Sequence, residues 1–266
     1  MESVSFSLNG QPVTLQVEGP LTALAALRDR LGITSPKDGC SPQGACGCCT
    51  VLVDGKPTMT CLRDVRKLDG RAVTTLEGLE PRKAETLARS FVKSGGMQCG
   101  YCTPGIVMSA AALLDKDAQP SDQRVQAALG PHLCRCTGYQ PIVRSIQDAG
   151  RTWGQAAERT QPSAGDRYQG RELALGARAF VDDMSRPGML FGALRLTEHP
   201  RARILSLDVS EALKVPGVRA VLTAEDLPAA RGQRDGRRPR GIAEVRQHHA
   251  RRNESRRAFF IRMQIR

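Results

Sequence analysis

The sequence predicts an α+β protein in which a small β-rich domain is followed by a compact helical bundle and then by a mixed α/β piece. Apolar and polar residues alternate in two hairpins before residue 76, and the apolar period becomes helical from about residue 83. Strand-like runs return from residue 174. At 266 residues the chain has room for two or three small domains.

The first domain is predicted over residues 1–76 and consists of two hairpins and one helix. Asn9-Gly10 and Asp54-Gly55 are sequences that favour the tight turns between antiparallel strands. Between the hairpins, Thr22 can accept a hydrogen bond at the start of a helix. A last strand is predicted at 72–75, where β-branched residues are concentrated.

Four helices are predicted over 77–156, with connections short enough for a compact bundle. Gly95 suits the end of the first helix, Pro104 the first turn of the second, and Ser121 the cap of the third. The polar residues 157–168, which include proline and glycine, are predicted to form a linker.

The mixed α/β piece is predicted over 169–230 and contains a short helix at 211–213. Its strands are predicted from apolar and β-branched runs at 174–182, 189–195, 204–209 and 218–222. Residues 231–266 lose this periodicity, so an arginine-rich, disordered tail is predicted there.

The net charge of +12 is concentrated in this tail and says little about the folded part. Residues 231–266 carry 12 arginines against three acidic residues, whereas the first 230 residues carry 27 basic and 24 acidic groups. The tail is interpreted as a natural basic arm that binds RNA or acidic lipid, or as an out-of-frame continuation, and the abrupt loss of pattern favours the second. Aromatic residues make up only 4% of the chain, so no specific nucleic-acid partner is expected.

The chain is expected to be a soluble, cytoplasmic protein. Its first residues lack a basic segment followed by an apolar run, and its longest apolar stretch, near 106–114, is too short to span a bilayer. No membrane partner is therefore expected. Nine cysteines in clustered spacings indicate metal binding in a reducing compartment rather than a disulfide framework.

The second cysteine group consists of two tight pairs separated by 31 residues: Cys99, Cys102, Cys134 and Cys136. In each pair the sulfurs are close enough in sequence to bind one metal centre. Thr103 can cap a helix whose first turn contains Pro104, which predicts that the first pair lies at a helix N-terminus. Free N–H groups and the positive end of the helix dipole favour thiolates or an anionic cluster there. A structural zinc site is the alternative.

The first cysteine group has the spacing C-x5-C-x2-C, with one further cysteine after 11 residues; its members are Cys40, Cys46, Cys48, Cys49 and Cys61. Plant-type 2Fe–2S ferredoxins use C-x4-C-x2-C and a distant fourth cysteine. The extra residue is a departure that a bulge at Pro42 can absorb. The preferred ligands are Cys40, Cys46, Cys49 and Cys61, and the alternative sets use Cys48 in place of Cys46 or Cys49.

Together these motifs resemble the iron–sulfur component of the xanthine dehydrogenase and aldehyde oxidase family, the molybdenum hydroxylases. The segments Q-C-G-Y-C-T-P-G at 98–105 and L-C-R-C-T-G-Y at 133–139 are similar to the second-cluster motifs of that family, and the likeness covers about residues 1–155. It implies a β-grasp 2Fe–2S ferredoxin domain and then a four-helix domain with a second 2Fe–2S cluster. Gln98 matches the family glutamine that contacts the pterin of the molybdenum cofactor.

The later piece resembles the opening of the molybdenum-binding subunit of the same family. G-A-R-A-F-V-D-D at 176–183 and P-G-M-L-F-G at 187–192 look like its α/β hammerhead domain. The chain is therefore expected to be a fusion of the iron–sulfur part with a truncated hammerhead domain. The substrate pocket of such an oxidoreductase, and hence any catalytic residue, is expected outside this chain.

The resemblance implies that the chain carries electrons rather than converting a substrate itself. Cys99, Cys102, Cys134 and Cys136 would bind the cluster nearer molybdenum, and the ferredoxin-type cluster would pass electrons outward to flavin or another acceptor. The molybdenum cofactor and FAD are expected in partner subunits or in a missing catalytic body. The alternatives are a redox-silent zinc-binding interaction module and a truncated, inactive fragment of such an oxidoreductase.

Overall fold

The computed structural model describes residues 1–155, 169–195, 204–223, 226, 243–248 and 262–265. The chain forms two compact units, Met1–Met184 and Ser185–Arg266. The predicted linker at 157–168 lies outside the described residues. No helix within the described residues is long and apolar enough to cross a bilayer.

A five-stranded sheet forms the β-rich part of the first unit. Its strands are β1 Glu2–Leu8, β2 Gln11–Val17, β3 Thr50–Val53, β4 Lys56–Met59 and β5 Ala72–Thr74. They lie in the order β2-β1-β5-β3-β4, and only the β1–β5 pair is parallel. Both predicted hairpins are confirmed, and Asn9, Gly10, Asp54 and Gly55 have the positive φ angles that such two-residue turns need.

The predicted helix after β2 is present in a distorted form. Thr22 caps it by accepting a hydrogen bond from the N–H of Ala25 (3.1 Å). Helix α1, Ala23–Ala25, then widens into a single π-helical segment, Ala26–Arg30. Leu27 in this segment is completely buried in the core between helix and sheet, so packing rather than local propensity holds the turn.

The helical domain contains the four predicted helices: α2 Pro81–Ser94, α3 Thr103–Leu114, α4 Asp122–Leu129 and α5 Gln140–Arg151. Every residue of α3 except Leu113 is buried, which makes α3 the central helix. Its core is continuous with Leu52 of β3. Because one core joins the sheet to the helices, the two cysteine groups are held on a common scaffold.

Residues 169–184 pack with the first unit, although the sequence predicts that they open the α/β piece. Helix α6, Gly170–Ala174, buries Leu173 in the core of the helical domain. The predicted strand at 174–182 is wrong, because the chain turns at Gly176 (φ +66°) and then forms a 3-10 turn at Val181–Asp183. The exact boundary of the α/β piece stays a prediction.

Two anchors explain why this segment is not a strand. The ring of Phe180 packs edge-on against Tyr101, with ring centroids 5.2 Å apart. Asp183 accepts hydrogen bonds from Arg28 (2.9 Å) and Lys37 (2.8 Å), and all three side chains are nearly inaccessible to solvent. The conformation of this segment is therefore set by separate side-chain contacts of Phe180 and Asp183 with the rest of the first unit.

The second unit contains the other predicted strands and the predicted short helix. Its elements are β6 Leu190–Arg195, β7 Ile204–Asp208, α7 Ser210–Leu213, β8 Val218–Leu222, β9 Ala243–His248 and β10 Arg262–Ile265. Strands β6, β9 and β8 form one antiparallel sheet, and β10 pairs with β7. Ala212 of α7 is buried against Leu207, Val218 and Val221.

Strands β9 and β10 lie within the arginine-rich region 231–266, whose other residues are outside the described part of the chain, and its disorder stays a prediction. Strand β9 is hydrogen-bonded on both sides, to β6 and to β8. Backbone pairing of this kind satisfies N–H and C=O groups whatever the side chains are. Strand pairing can therefore occur in a segment that lacks apolar periodicity.

Candidate metal centre

The second cysteine group assembles where α3 begins and where the chain approaches α5. The predicted position at a helix N-terminus is confirmed, but Cys102 is the cap and Thr103, predicted as the cap, is the first helical residue. The Sγ atoms of Cys99 and Cys136 lie 3.6 Å apart, and the thiols of Cys102 and Cys134 are hydrogen-bonded. Two thiolates on one tetrahedral metal at about 2.3 Å would lie about 3.8 Å apart.

Hydrogen bonds to its sulfur lower the pKa of Cys134. Burial raises its pKa, but hydrogen bonds from the Thr137 hydroxyl and from the N–H groups of Cys136 and Thr137 outweigh the burial and lower it. The Sγ of Cys134 and the Oγ1 of Thr137 are 3.1 Å apart. Burial raises the pKa of Cys99 and of Cys102. Donors to sulfur of this kind stabilise a metal-bound thiolate.

The first cysteine group also assembles in pairs. The thiol of Cys40 is hydrogen-bonded with that of Cys46, and the thiol of Cys61 with that of Cys49. Cys49 and Cys61 are each only 1% exposed, whereas Cys40 is half-buried at the edge of the loop. The structure therefore pairs Cys40 with Cys46 and Cys49 with Cys61, and the choice among these cysteines as ligands stays a prediction.

Backbone N–H groups converge on Cys40. Burial raises its pKa, but hydrogen bonds from the N–H groups of Ala45, Gln43 and Cys46 and from the Cys46 thiol lower it to about 7. The N–H of Gln43 lies 3.2 Å from Sγ of Cys40. The loop also needs glycine at 39, because a Cβ there would lie 3.0 Å from the sulfurs of both Cys46 and Cys48.

The thiol of Cys48 is hydrogen-bonded with that of Cys46, so a third thiol adjoins the pair formed by Cys40 and Cys46. Cys48 is buried and interacts electrostatically with Cys46 and Cys49 of the first group and with Cys102 of the second. It therefore lies between the two cysteine groups. Its own S–H is 3.8 Å from the carbonyl oxygen of Cys46. Burial raises its pKa strongly, as it does that of Cys61 and of Cys102, so the pKa does not separate Cys48 from the proposed ligands.

The donor chemistry fits 2Fe–2S clusters. Each group supplies two pairs of thiols, and backbone N–H groups and a glycine cradle surround the sulfurs. In the described part of the chain, no three Cys, His, Asp or Glu side chains converge as ligands of one metal ion. Two pairs of thiols match the two protein ligands that each iron of a 2Fe–2S cluster needs.

The two cysteine groups are in direct contact through backbone. The N–H of Leu133 donates to the carbonyl oxygen of Cys46 at 2.9 Å. A Cβ on Gly105 of α3 would lie 2.4 Å from the carbonyl oxygen of Gly47, so the helix and the loop approach this closely only because residue 105 is glycine. These contacts place the first loop against the second cysteine group.

The sequence alone did not single out three residues around these centres. They are Thr137 beside the Cys134 sulfur, Tyr139, and the buried His132. The Tyr139 hydroxyl accepts a hydrogen bond from the N–H of Cys134 and donates one to the carbonyl of His132. Burial lowers the pKa of His132 to about 4, so its ring is neutral near pH 7. Tyr139 and Thr137 lie within the C-T-G-Y motif, which was the available signal.

Gln98, the predicted cofactor-binding residue, lies exposed beside the exposed Cys99. The buried Met97 precedes it and fixes the backbone at the start of the motif. Gln98 and the neighbouring ligand candidate Cys99 are thus both accessible to solvent.

Known families match three successive parts of the chain. The 2Fe-2S iron-sulfur cluster binding domain matches residues 6–76, the 2Fe-2S binding domain matches 75–147, and the a/b hammerhead domain of aldehyde oxidase and xanthine dehydrogenase matches 175–247. The nicotinate dehydrogenase small FeS subunit of Eubacterium barkeri is 40% identical over 55% of this chain and 94% of its own length. The chain belongs to the xanthine dehydrogenase and aldehyde oxidase family of molybdenum hydroxylases.

Larger molybdenum hydroxylases match more of the chain. The aldehyde oxidoreductase of Megalodesulfovibrio gigas is 35% identical over 84% of this chain and 26% of its own length. The crystal structure of the aldehyde oxidoreductase from Desulfovibrio desulfuricans has a TM-score of 0.82 and 28% identity, covering 100% of this chain and 34% of its own. The chain thus spans between a quarter and a third of these aldehyde oxidoreductases.

Within the molybdenum hydroxylases, the chain corresponds to the electron-transfer part of an oxidoreductase. The predicted order of a ferredoxin-type domain, a helical 2Fe–2S domain and a hammerhead domain is confirmed. The relatives that consist of iron–sulfur domains are small subunits of enzymes with further parts. The zinc-module alternative is not favoured by these comparisons.

Proposed function

We propose that this chain carries electrons, one at a time, from a molybdenum cofactor in a catalytic part to flavin or another acceptor. The observation that supports this most directly is the hydrogen bond from the N–H of Leu133 to the carbonyl of Cys46. It joins the two cysteine groups by a single 2.9 Å contact. A bound 2Fe–2S cluster would supply a one-electron couple at each group.

The proposed ligands of the first cluster are Cys40, Cys46, Cys49 and Cys61, and those of the second are Cys99, Cys102, Cys134 and Cys136. The thiol pairs support a division in which Cys40 with Cys46, and Cys49 with Cys61, each bind one iron. In the second group the 3.6 Å separation of Cys99 and Cys136 supports the same arrangement. Cys48 is left as a non-ligand thiol.

The surrounding residues would prepare the thiols and exclude water. Backbone N–H groups donate hydrogen bonds to the sulfur of Cys40, and the hydroxyl of Thr137 donates one to the sulfur of Cys134. Burial of Cys46, Cys49 and Cys61 keeps solvent from most of the first site. Because hydrogen bonds and exposure both set the reduction potential, the two sites are expected to differ in potential.

The open side of the second group is the proposed face toward the catalytic part. Cys99, Cys136 and Gln98 are all exposed there. In this proposal Gln98 donates or accepts a hydrogen bond with the pterin of the molybdenum cofactor. The catalytic part, a separate subunit or a further part of the same enzyme, would bind the cofactor, and a second partner would bind FAD.

The complete enzyme is proposed to hydroxylate a carbon of an aldehyde or N-heterocycle with oxygen from water. The relatives that support these two substrate classes are an aldehyde oxidoreductase and a nicotinate dehydrogenase. A cytoplasmic location is part of the same proposal. The clustered spacing of the nine cysteines, which is typical of metal binding in a reducing compartment, supports it.

The test is anaerobic purification of the full chain followed by iron, zinc and acid-labile sulfide analysis. The expected result is a brown protein whose visible absorbance bleaches with dithionite and whose iron and sulfide are present in equal amounts. A colourless protein that binds zinc after iron and sulfide have been supplied overturns the proposal. Co-purification of a molybdenum-binding or flavin-binding protein from the source cell tests the proposed partners.

A further inference from the structure

His132 lies between the two cysteine groups and is not among the proposed ligands. It immediately precedes Leu133, whose N–H contacts Cys46, and only 4% of His132 is exposed. Its carbonyl accepts a hydrogen bond from the Tyr139 hydroxyl at 3.0 Å. The backbone of this residue is therefore fixed from the side of the second cysteine group.

The ring of His132 is wedged between a helix and the first loop. On one side, Nε2 lies 2.7 Å from Oγ of Ser109 on α3. On the other side, Nδ1 contacts the backbone of Gly47, where an added Cβ would lie only 2.4 Å from this nitrogen. Nδ1 has no hydrogen-bond partner among the described residues, so its contact with the loop is one of packing.

We propose that His132 is a positioning residue whose ring acts as a spacer and sets the separation of the two cysteine groups. This inference rests on the proposed function, because the separation matters for electrons that pass between the groups. The loop at Gly47 cannot move toward Ser109 without displacing the ring. A small side chain at 132 would leave a cavity, and close-packed surroundings relax into such a cavity.

Three variants of the full chain separate spacing from hydrogen bonding. His132→Ala removes the ring. Ser109→Ala removes only the hydrogen bond to Nε2. The double variant His132→Phe with Ser109→Ala keeps an aromatic ring of similar breadth without either nitrogen, and the smaller residue at 109 leaves room for it.

The measurements are iron and sulfide content, the spin–spin splitting in the electron paramagnetic resonance spectrum of the doubly reduced protein, and the rate of electron equilibration between the sites. We expect His132→Ala to retain both clusters, to change the splitting and to alter the rate severalfold. Ser109→Ala and the double variant are expected to keep the wild-type splitting, since a ring still fills the gap.

Three outcomes overturn the inference while leaving the proposed function intact. One is a wild-type splitting and rate in His132→Ala; another is an equal change in His132→Ala and the double variant, which would assign the effect to the nitrogens. The third is a change in Ser109→Ala as large as in His132→Ala. If His132→Ala does not accumulate, His132→Asn takes its place with the same expectations. Wild-type protein without iron and sulfide would instead contradict the proposed function.

Discussion

The two cysteine groups have the same donor chemistry but differ in their contact with solvent. In the first, Cys46, Cys49 and Cys61 are buried, and only Cys40 reaches the edge of the loop. In the second, Cys102 and Cys134 are buried, whereas Cys99 and Cys136 are exposed as a pair. The first site is enclosed by protein, and the second is open on one side.

This difference follows from where each loop lies in the fold. The first loop is covered by β3, by α3 and by the backbone of residues 131–133. The second group lies at the protein surface, where Cys102 caps α3. Two of its four thiols, those of Cys99 and Cys136, are not covered by the described part of the chain. An open site suits contact with a partner's cofactor, and an enclosed one suits retention of the cluster.

Substitution of one buried ligand gives the largest expected effect. Cys61→Ser removes a thiolate from the enclosed site, where no solvent can replace it, so about half of the bound iron and sulfide should be lost. Cys99→Ser in the open site is expected to lose less, because water can complete the coordination there. Iron and sulfide analysis of anaerobically purified variants measures both.

Cys48→Ser is the matched control for this pair, because it changes a buried cysteine that is not a proposed ligand. Full iron and sulfide content is expected in this variant. If Cys48→Ser lost iron while Cys46→Ser or Cys49→Ser retained it, Cys48 would be a ligand in place of Cys46 or Cys49.

The next largest effect is expected on stability, from Asp183→Asn. Asp183 pairs with Lys37 and Arg28, whose side chains are 0% and 5% exposed, and removal of the carboxylate leaves both cations buried. Loss of one partner of a buried ion pair costs about 3–5 kcal/mol. The N–H of Lys37 donates to the carbonyl of Cys48, so the first site should loosen before the second. Chemical unfolding followed by absorbance measures both.

The exposed pair of Asp54 and Arg71 provides the control, and Asp54→Asn should change stability little.

The stabilisation that Asp183 provides depends on pH with a defined sign. Burial raises the pKa of Asp183, but hydrogen bonds from Lys37, the Phe180 N–H and Arg28 outweigh it, so the folded pKa is lowered. The stabilisation is complete above the unfolded pKa of about 3.9 and is lost as the pH falls through the folded value. Equal sensitivity of wild type and Asp183→Asn to acid would contradict this role.

Tyr139→Phe is expected to loosen the second site without removing a ligand. The variant leaves the N–H of Cys134 and the carbonyl of His132 without their shared partner, at a cost of about 1–3 kcal/mol. Iron should pass to a chelator faster from this site than in the wild type. Tyr101→Phe is a suitable comparison, since the Tyr101 hydroxyl donates a hydrogen bond to the backbone carbonyl of Asp38 beside the first loop. An unchanged rate in Tyr139→Phe would show that the hydroxyl does not hold the loop.

The smallest effect is expected from Thr137→Val, which removes the hydroxyl beside the Cys134 sulfur. Loss of a hydrogen bond to a ligand sulfur should lower the reduction potential of the second site only. We expect less than a tenfold change in the redox equilibrium, which is below about 59 mV for one electron. Thr137→Ser keeps the hydroxyl and should keep the potential. A redox titration in which the first site shifted instead would refute the assignment.

Much of the fold could be predicted from the sequence because it depends on neighbours along the chain. Hairpin turns at Asn9-Gly10 and Asp54-Gly55, the capped helix after Ser121 and the helix beginning near Cys102 follow from local conformational preferences. The segment 174–182 could not be predicted in this way, since Phe180 and Asp183 adopt their conformation by contact with Tyr101 and Lys37.

By itself, the sequence determined which side chains can bind a cluster, since cysteine spacing is a property of the chain. Only the tertiary structure decided how those thiols pair, which of them meet solvent, and that His132 lies between the two groups. Cys99 and Cys136 are 37 residues apart, and His132 is far from Gly47 along the chain. Such contacts exist because packing of the core brings distant loops together, and no local pattern encodes that packing.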